Sequence, residues 1–124
     1  MTRTLNTLVL IGAVAFAASC GSSNSTTPPT SPTPTGSATA VTVPSGARTL
    51  GSSAYSPNPV TITHGGTVTW TNMDTIAHTA TSDTGVFNGS LPAGGQFSFT
   101  FPNAGTFTYH CTIHPGMVGT VNVQ

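Results

Sequence analysis

Cys111, His114 and Met117 stand three residues apart in the run "HCTIHPGM", which opens on His110. The run carries two of the chain's four histidines, one of its two cysteines and one of its three methionines. A thiolate, imidazoles and a thioether form a mixed set of soft and borderline metal donors. Two imidazoles and a thiolate in a trigonal arrangement, with a weak and long thioether contact, suit copper. Zinc prefers four firm tetrahedral ligands, and a thioether is a poor one. Neither an adjacent acid nor an open coordination position is evident, so catalysis at the metal is not implied and the chain is not read as an enzyme. Taken singly, each residue has an ordinary alternative: Cys111 and Met117 as core, His114 as a loop cap. The spacing of all three together favours the metal.

Which side chains meet at one point depends on the strands that carry them. "VTITH" (60–64), "TVTWTN" (67–72), "HTATS" (78–82), "QFSFTF" (96–101), "TFTYHC" (106–111) and "GTVNVQ" (119–124) read as strands, with Pro and Gly in the gaps. Gly65-Gly66 reads as a two-residue hairpin turn between the first two. No segment beyond the N-terminal leader has helical periodicity. The fold class is all-β, an antiparallel Greek-key β-sandwich. Val68, Trp70, Phe97, Phe99, Phe101 and Phe107 are the expected core.

Strand alternation then sorts the ligands. Cys111 shares the inward face with Phe107 and Tyr109, whereas His110 shares the outward face with Thr106 and Thr108 and is not expected to bind. His64 flanks the Gly-Gly turn. It should lie roughly 20 Å from His78, at the opposite end of the sandwich, at about 3.3 Å per strand residue. His78 follows the loop "MDTIA" and can meet the 111–117 loop, where Pro115 and Gly116 help the chain turn. Met73 lies near the same end and is read as loop packing.

The flanks set the context. The first 19 residues have Arg3 and then an apolar run from Leu8 to Ala18, too short to span a bilayer comfortably. They read as a signal peptide. "AASC" resembles the processing box of bacterial lipoproteins, with Ala17 where Leu is usual, so cleavage before a lipid-bearing Cys20 is expected. Cys111 is then a single thiol in an oxidising compartment, and metal ligation gives it a reason. Residues 20–44, rich in Ser, Thr and Pro, read as a disordered tether. Residues 45–124 read as the folded domain. Two Lys+Arg and two Asp+Glu in 124 residues offer no basic patch for nucleic acid and few groups for acid–base catalysis.

"TVTWTNMDTIAHTATSD" and "GTFTYHCTIHPGMVGTVNV" resemble the plastocyanin/amicyanin branch of the cupredoxins over about residues 55–124. The Cys-x-x-His-x-x-Met loop is similar to the short amicyanin form. The resemblance implies one type 1 copper ion held by His78, Cys111, His114 and, axially, Met117. It implies an electron port where the His114 edge emerges through an apolar patch formed by Pro115, Gly116 and Met117. Family members often have Asn after the first His, tying the two loops together. Here that position is Thr79, whose backbone N–H can donate to the Cys111 sulfur, a contact that raises the reduction potential.

The function expected is a monomeric type 1 copper electron carrier, shuttling single electrons between extracytoplasmic redox partners. It would sit in the periplasm or on the cell surface, tethered to a membrane through Cys20. The alternative is a copper-binding or delivery protein that uses the same ligands without redox turnover. A third is an adhesive or structural sandwich without metal. A dinuclear copper site would need a second Cys in the loop, which the sequence lacks.

Overall fold

Alternating β-branched, aromatic and hydroxyl residues make strands, and strands carry this fold. The computed structural model describes residues 37–124, which form eight strands and two single-turn 3-10 segments, with no α-helix. The strands are β1 (Ala38–Val43), β2 (Val60–Ile62), β3 (Thr67–Asn72), β4 (His78–Ser82), β5 (Asn88–Leu91), β6 (Gln96–Thr100), β7 (Gly105–His110) and β8 (Val118–Val123). They form two sheets, β1-β3-β6 and β2-β8-β7-β4-β5. The β-sandwich expected from the strand pattern is thus observed. Four pairings are antiparallel: β3 with β6, β4 with β5 and β7, and β7 with β8. Two are parallel, β1 with β3 and β2 with β8.

Two expectations are corrected. The tether expected to run to residue 44 gives way earlier, because Ala38–Val43 lie parallel to Thr67–Asn72, residue for residue. Val41 and Val43 are fully buried there, worth about 1.5–3 kcal/mol each as an upper bound. The leader (1–19), Cys20 and residues up to 36 lie outside the described residues. Nor does Gly65-Gly66 close a hairpin. β2 and β3 belong to different sheets, so the turn carries the chain from one layer to the other. Gly65 has φ 76°, a left-handed value that glycine adopts without a Cβ penalty.

Trp70, Tyr55, Tyr109, Phe101 and Leu91 fill the space between the sheets. Val68 is buried with them, whereas Phe97, Phe99 and Phe107 are only partly buried against that cluster. For Phe97 and Phe99 the reason is position: β6 is the edge of its sheet. Phe97 still stacks on Trp70 at 5.6 Å between ring centroids. It reaches across to Gly89, where a Cβ would fall 2.1 Å from its ring.

Candidate metal centre

The pairing of His110 with Val118 closes β7 against β8 and leaves residues 111–117 as the connecting loop. Cys111 N–H donates to the Met117 carbonyl at 3.1 Å, and Met117 N–H donates to the His114 carbonyl at 2.9 Å. These bonds hold the three spaced residues in one compact turn. Cys111 and Met117 are fully buried, while His114 is partly exposed. His78, the first residue of β4, arrives from the neighbouring strand and is also fully buried.

His78, Cys111 and His114 converge. Cys111 Sγ lies 3.9 Å from the Nδ1 atoms of both histidines, and the two Nδ1 atoms are 3.2 Å apart. Nδ1 of His78 is the free lone pair, because Nε2–H donates to Asp74 Oδ2 at 3.0 Å and thereby fixes the tautomer. One thiol and two Nδ1 atoms therefore face a common point. This suits a single ion that takes sulfur and imidazole ligands. Among the described residues, Cys111 is the free cysteine.

The loop before β4 is braced by buried Asn72. Its amide Nδ2 lies within hydrogen-bond reach of the carbonyls of Ile76, Leu91 and Pro92 at 2.8–3.1 Å, and its Oδ1 accepts Asp74 N–H at 2.9 Å. Asp74 in turn accepts from Thr75 N–H and Gly46 N–H besides His78. The bond from His78, foremost, holds the Asp74 carboxyl below the usual aspartate range, assisted by the two backbone donors. In the sequence Asp74 stands out only as a scarce carboxylate. Its position four residues before His78 is the signal that could have found it.

Thr79 N–H donates to Cys111 Sγ at 3.3 Å, the contact expected at that residue. Thr79 also ties the two loops through its side chain: Thr112 N–H donates to Thr79 Oγ1 at 2.9 Å. The outlying candidates separate as geometry demands. His110 points outward and donates from Nδ1 to Asp83 at 2.6 Å. His64 is exposed beside the Gly65 turn, its N–H donating to the Gln124 carbonyl. Met73 is 64% exposed, which agrees with neither a ligand nor packing and makes it surface.

The comparisons with known proteins agree with this geometry. Residues 41–124 match the family of copper binding proteins described as plastocyanin/azurin. The chain is 39% identical to amicyanin of Paracoccus denitrificans over 66 residues, 48% of this chain and 50% of that one. It is 35% identical to plastocyanin of Scenedesmus fuscus over 98 residues, 68% of this chain and 99% of that one. This chain thus spans half the length of the Paracoccus denitrificans amicyanin and 58% of that from Paracoccus versutus. Among solved structures, a purple cupredoxin from Nitrosopumilus maritimus superposes with TM-score 0.63 at 34% identity, covering 69% of this chain and 99% of that chain. A Cu(I) structure of an amicyanin point mutant gives TM-score 0.60 at 30% identity, covering 70% of this chain and 82% of that one.

Proposed function

The chain belongs to the plastocyanin/azurin family of copper-binding proteins, and from that premise we propose that it is a type 1 copper electron carrier. The observation that carries the reading is the convergence of Cys111 Sγ with the Nδ1 atoms of His78 and His114. These three, with Met117 from the same loop, would hold the copper. The bound copper supplies a one-electron Cu(I)/Cu(II) couple.

The chain's own groups prepare the site for that couple. Asp74 orients His78 and presents its Nδ1 lone pair. Thr79 N–H draws charge from the thiolate. The bonds across the 111–117 loop, anchored between β7 and β8, limit movement of the donors between oxidation states. Low reorganisation favours transfer over chemistry, so the protein acts as a carrier and not as an enzyme.

His114 is the proposed port, since it is the partly exposed imidazole of the set. Met117, expected beside the port, is fully buried, so the apolar surface there comes from other residues. Ile113, Val118 and Met73 are exposed large apolar residues on or beside the two loops. Leu50, also exposed, follows a segment fastened to the site end by the bond from Gly46 N–H to Asp74. Two Lys+Arg and two Asp+Glu in the whole chain leave little charge for long-range steering of partners. The partners are redox proteins with a matching apolar face. The apolar run Leu8–Ala18 and Cys20 support an extracytoplasmic, lipid-tethered protein.

Voltammetry of the copper-loaded full chain tests the carrier reading. A reversible one-electron wave with rapid self-exchange is expected. Loss of the metal to a competing chelator on each reduction, without a reversible wave, favours copper delivery instead.

A further inference from the structure

The β4–β7 ladder stops one pair short of the metal centre, and what replaces that pair involves a residue outside the proposed ligand set. Thr81 pairs with His110 and Ser82 with Tyr109. The same register would place Thr79 opposite Thr112, but β7 ends at His110 and the chain turns away. The N–H and C=O of Thr79 are therefore left without their ladder partners. The Cys111 sulfur accepts from the N–H, and the hydroxyl of Tyr55 donates to the C=O. With Thr112 N–H on its Oγ1, Thr79 is held at all three of its polar groups.

Tyr55 reaches this point from the other layer. It follows the two 3-10 turns, and the neighbouring Ser56 is bridged to Thr42 of β1. Its ring is fully buried and meets Tyr109 edge-to-face at 4.8 Å. A buried phenol costs free energy unless its hydroxyl is bonded, and here the bond goes to the residue that donates to the thiolate. Burial first, then the charge of Cys111, pushes the phenol well above its ordinary range.

We propose that Tyr55 is a positioning residue for the thiolate: by holding the Thr79 carbonyl it aims the Thr79 N–H at Cys111 Sγ and raises the reduction potential. This rests on Cys111 being a copper ligand, as read above. Without Tyr55 the Thr79 carbonyl is unsatisfied at the edge of the site and its peptide plane turns to find another donor; the change in the Thr79 backbone angles is passed through the Cα to the preceding peptide, which carries the N–H. The N–H···S bond lengthens, the thiolate gives more charge to copper, and the oxidised state gains.

The test is Tyr55→Phe in the full chain, which keeps the ring and its contact with Tyr109. Loss of one hydrogen bond's influence should move the equilibrium with a fixed redox couple roughly tenfold toward Cu(II), about 59 mV lower in potential. The thiolate-to-copper absorption should move to longer wavelength. In the metal-free chain the Thr79 amide should exchange with solvent faster. Tyr109→Phe is the control: it removes an equally buried hydroxyl that has no hydrogen-bond partner, and should leave potential and absorption in place. A Tyr55→Phe protein that melts lower but keeps its potential, absorption and Thr79 exchange overturns the proposal. Should Tyr55→Phe not fold, difluorotyrosine incorporated into the Tyr109→Phe chain makes Tyr55 the sole phenol of the chain and a stronger donor. The potential must then rise, and no change overturns the proposal equally. A wild-type chain with no intense visible absorption on Cu(II) addition refutes the copper site itself, a separate failure.

Discussion

Replacing Asp74 by Asn probes how the fold prepares His78 for metal. The carboxylate accepts three donors: His78 Nε2–H at 3.0 Å and Gly46 N–H at 3.1 Å on Oδ2, and Thr75 N–H at 2.8 Å on Oδ1. An amide offers one acceptor atom in place of two. In one flip its NH₂ faces Thr75 N–H; in the other it faces both Gly46 and His78. Either way a donor meets a donor, and the site is only 6% exposed, so water offers little rescue. Removing the outer partner of a ligating histidine weakens metal binding by about 10–100-fold. The donor clash places Asp74→Asn in the upper part of that range. Competition of the full chain with a Cu(I) chelator at pH 7 reads the effect directly. Asp83→Asn, whose partner is the outward His110, is the matched control and should bind as the wild type does. Affinity of Asp74→Asn within about twofold of wild type would refute the idea that this carboxylate sets the tautomer and orientation of His78.

Met117→Gln should retain copper and lower the reduction potential; an unchanged potential in voltammetry would remove Met117 from the axial position. The Asp83 carboxyl is held below its ordinary 3.8 by the Thr108 side chain and then by His110. Its contribution is therefore complete above about pH 3.8 and lost as the pH falls through the lower folded-state value. Melting curves of Asp83→Asn should thus lie slightly below wild type at pH 5–7 and merge with it in stronger acid, by an amount typical of a surface pair, about 0.2–1 kcal/mol. A gap that widens in acid would reverse that sign. Gly119→Ala would place a Cβ 2.3 Å from Tyr109 Cζ in a region with no slack. Such overpacking costs about 1–3 kcal/mol, or a melting point at least about 4 °C lower, and an unaltered melt would contradict the close approach.

The site is more legible in the sequence than the fold around it. Period-2 alternation along β7 is local, so it places Cys111 and Tyr109 inward and His110 outward correctly. Loop spacing puts His114 beside Cys111 for the same reason. The pairing of strands distant in sequence is decided by tertiary contact, and there the pattern misleads. "ATAVTV" has only two large apolar residues and lies in Ser/Thr/Pro-rich sequence, yet it forms β1 because β3 offers it a full parallel ladder. Gly65-Gly66 has hairpin chemistry but serves a crossing between sheets, a choice the dipeptide itself does not encode. Tyr55 has no readable signal, because its relation to Thr79 spans 24 residues and two layers. Thr79 reads as a departure from Asn, and that its hydroxyl accepts the Thr112 N–H across the two loops is visible only in the folded chain.

The central claim is that Cys111, His78 and His114 together hold one copper ion as an electron-transfer centre. The visible spectrum of the purified full chain titrated with Cu(II) tests it most directly. One equivalent should produce an intense thiolate-to-copper absorption at about 600 nm, as expected of trigonal coordination. The absorption should be abolished in Cys111→Ser and intact in His110→Ala and His64→Ala. A colourless Cu(II) complex, or the same colour in Cys111→Ser, would contradict the account.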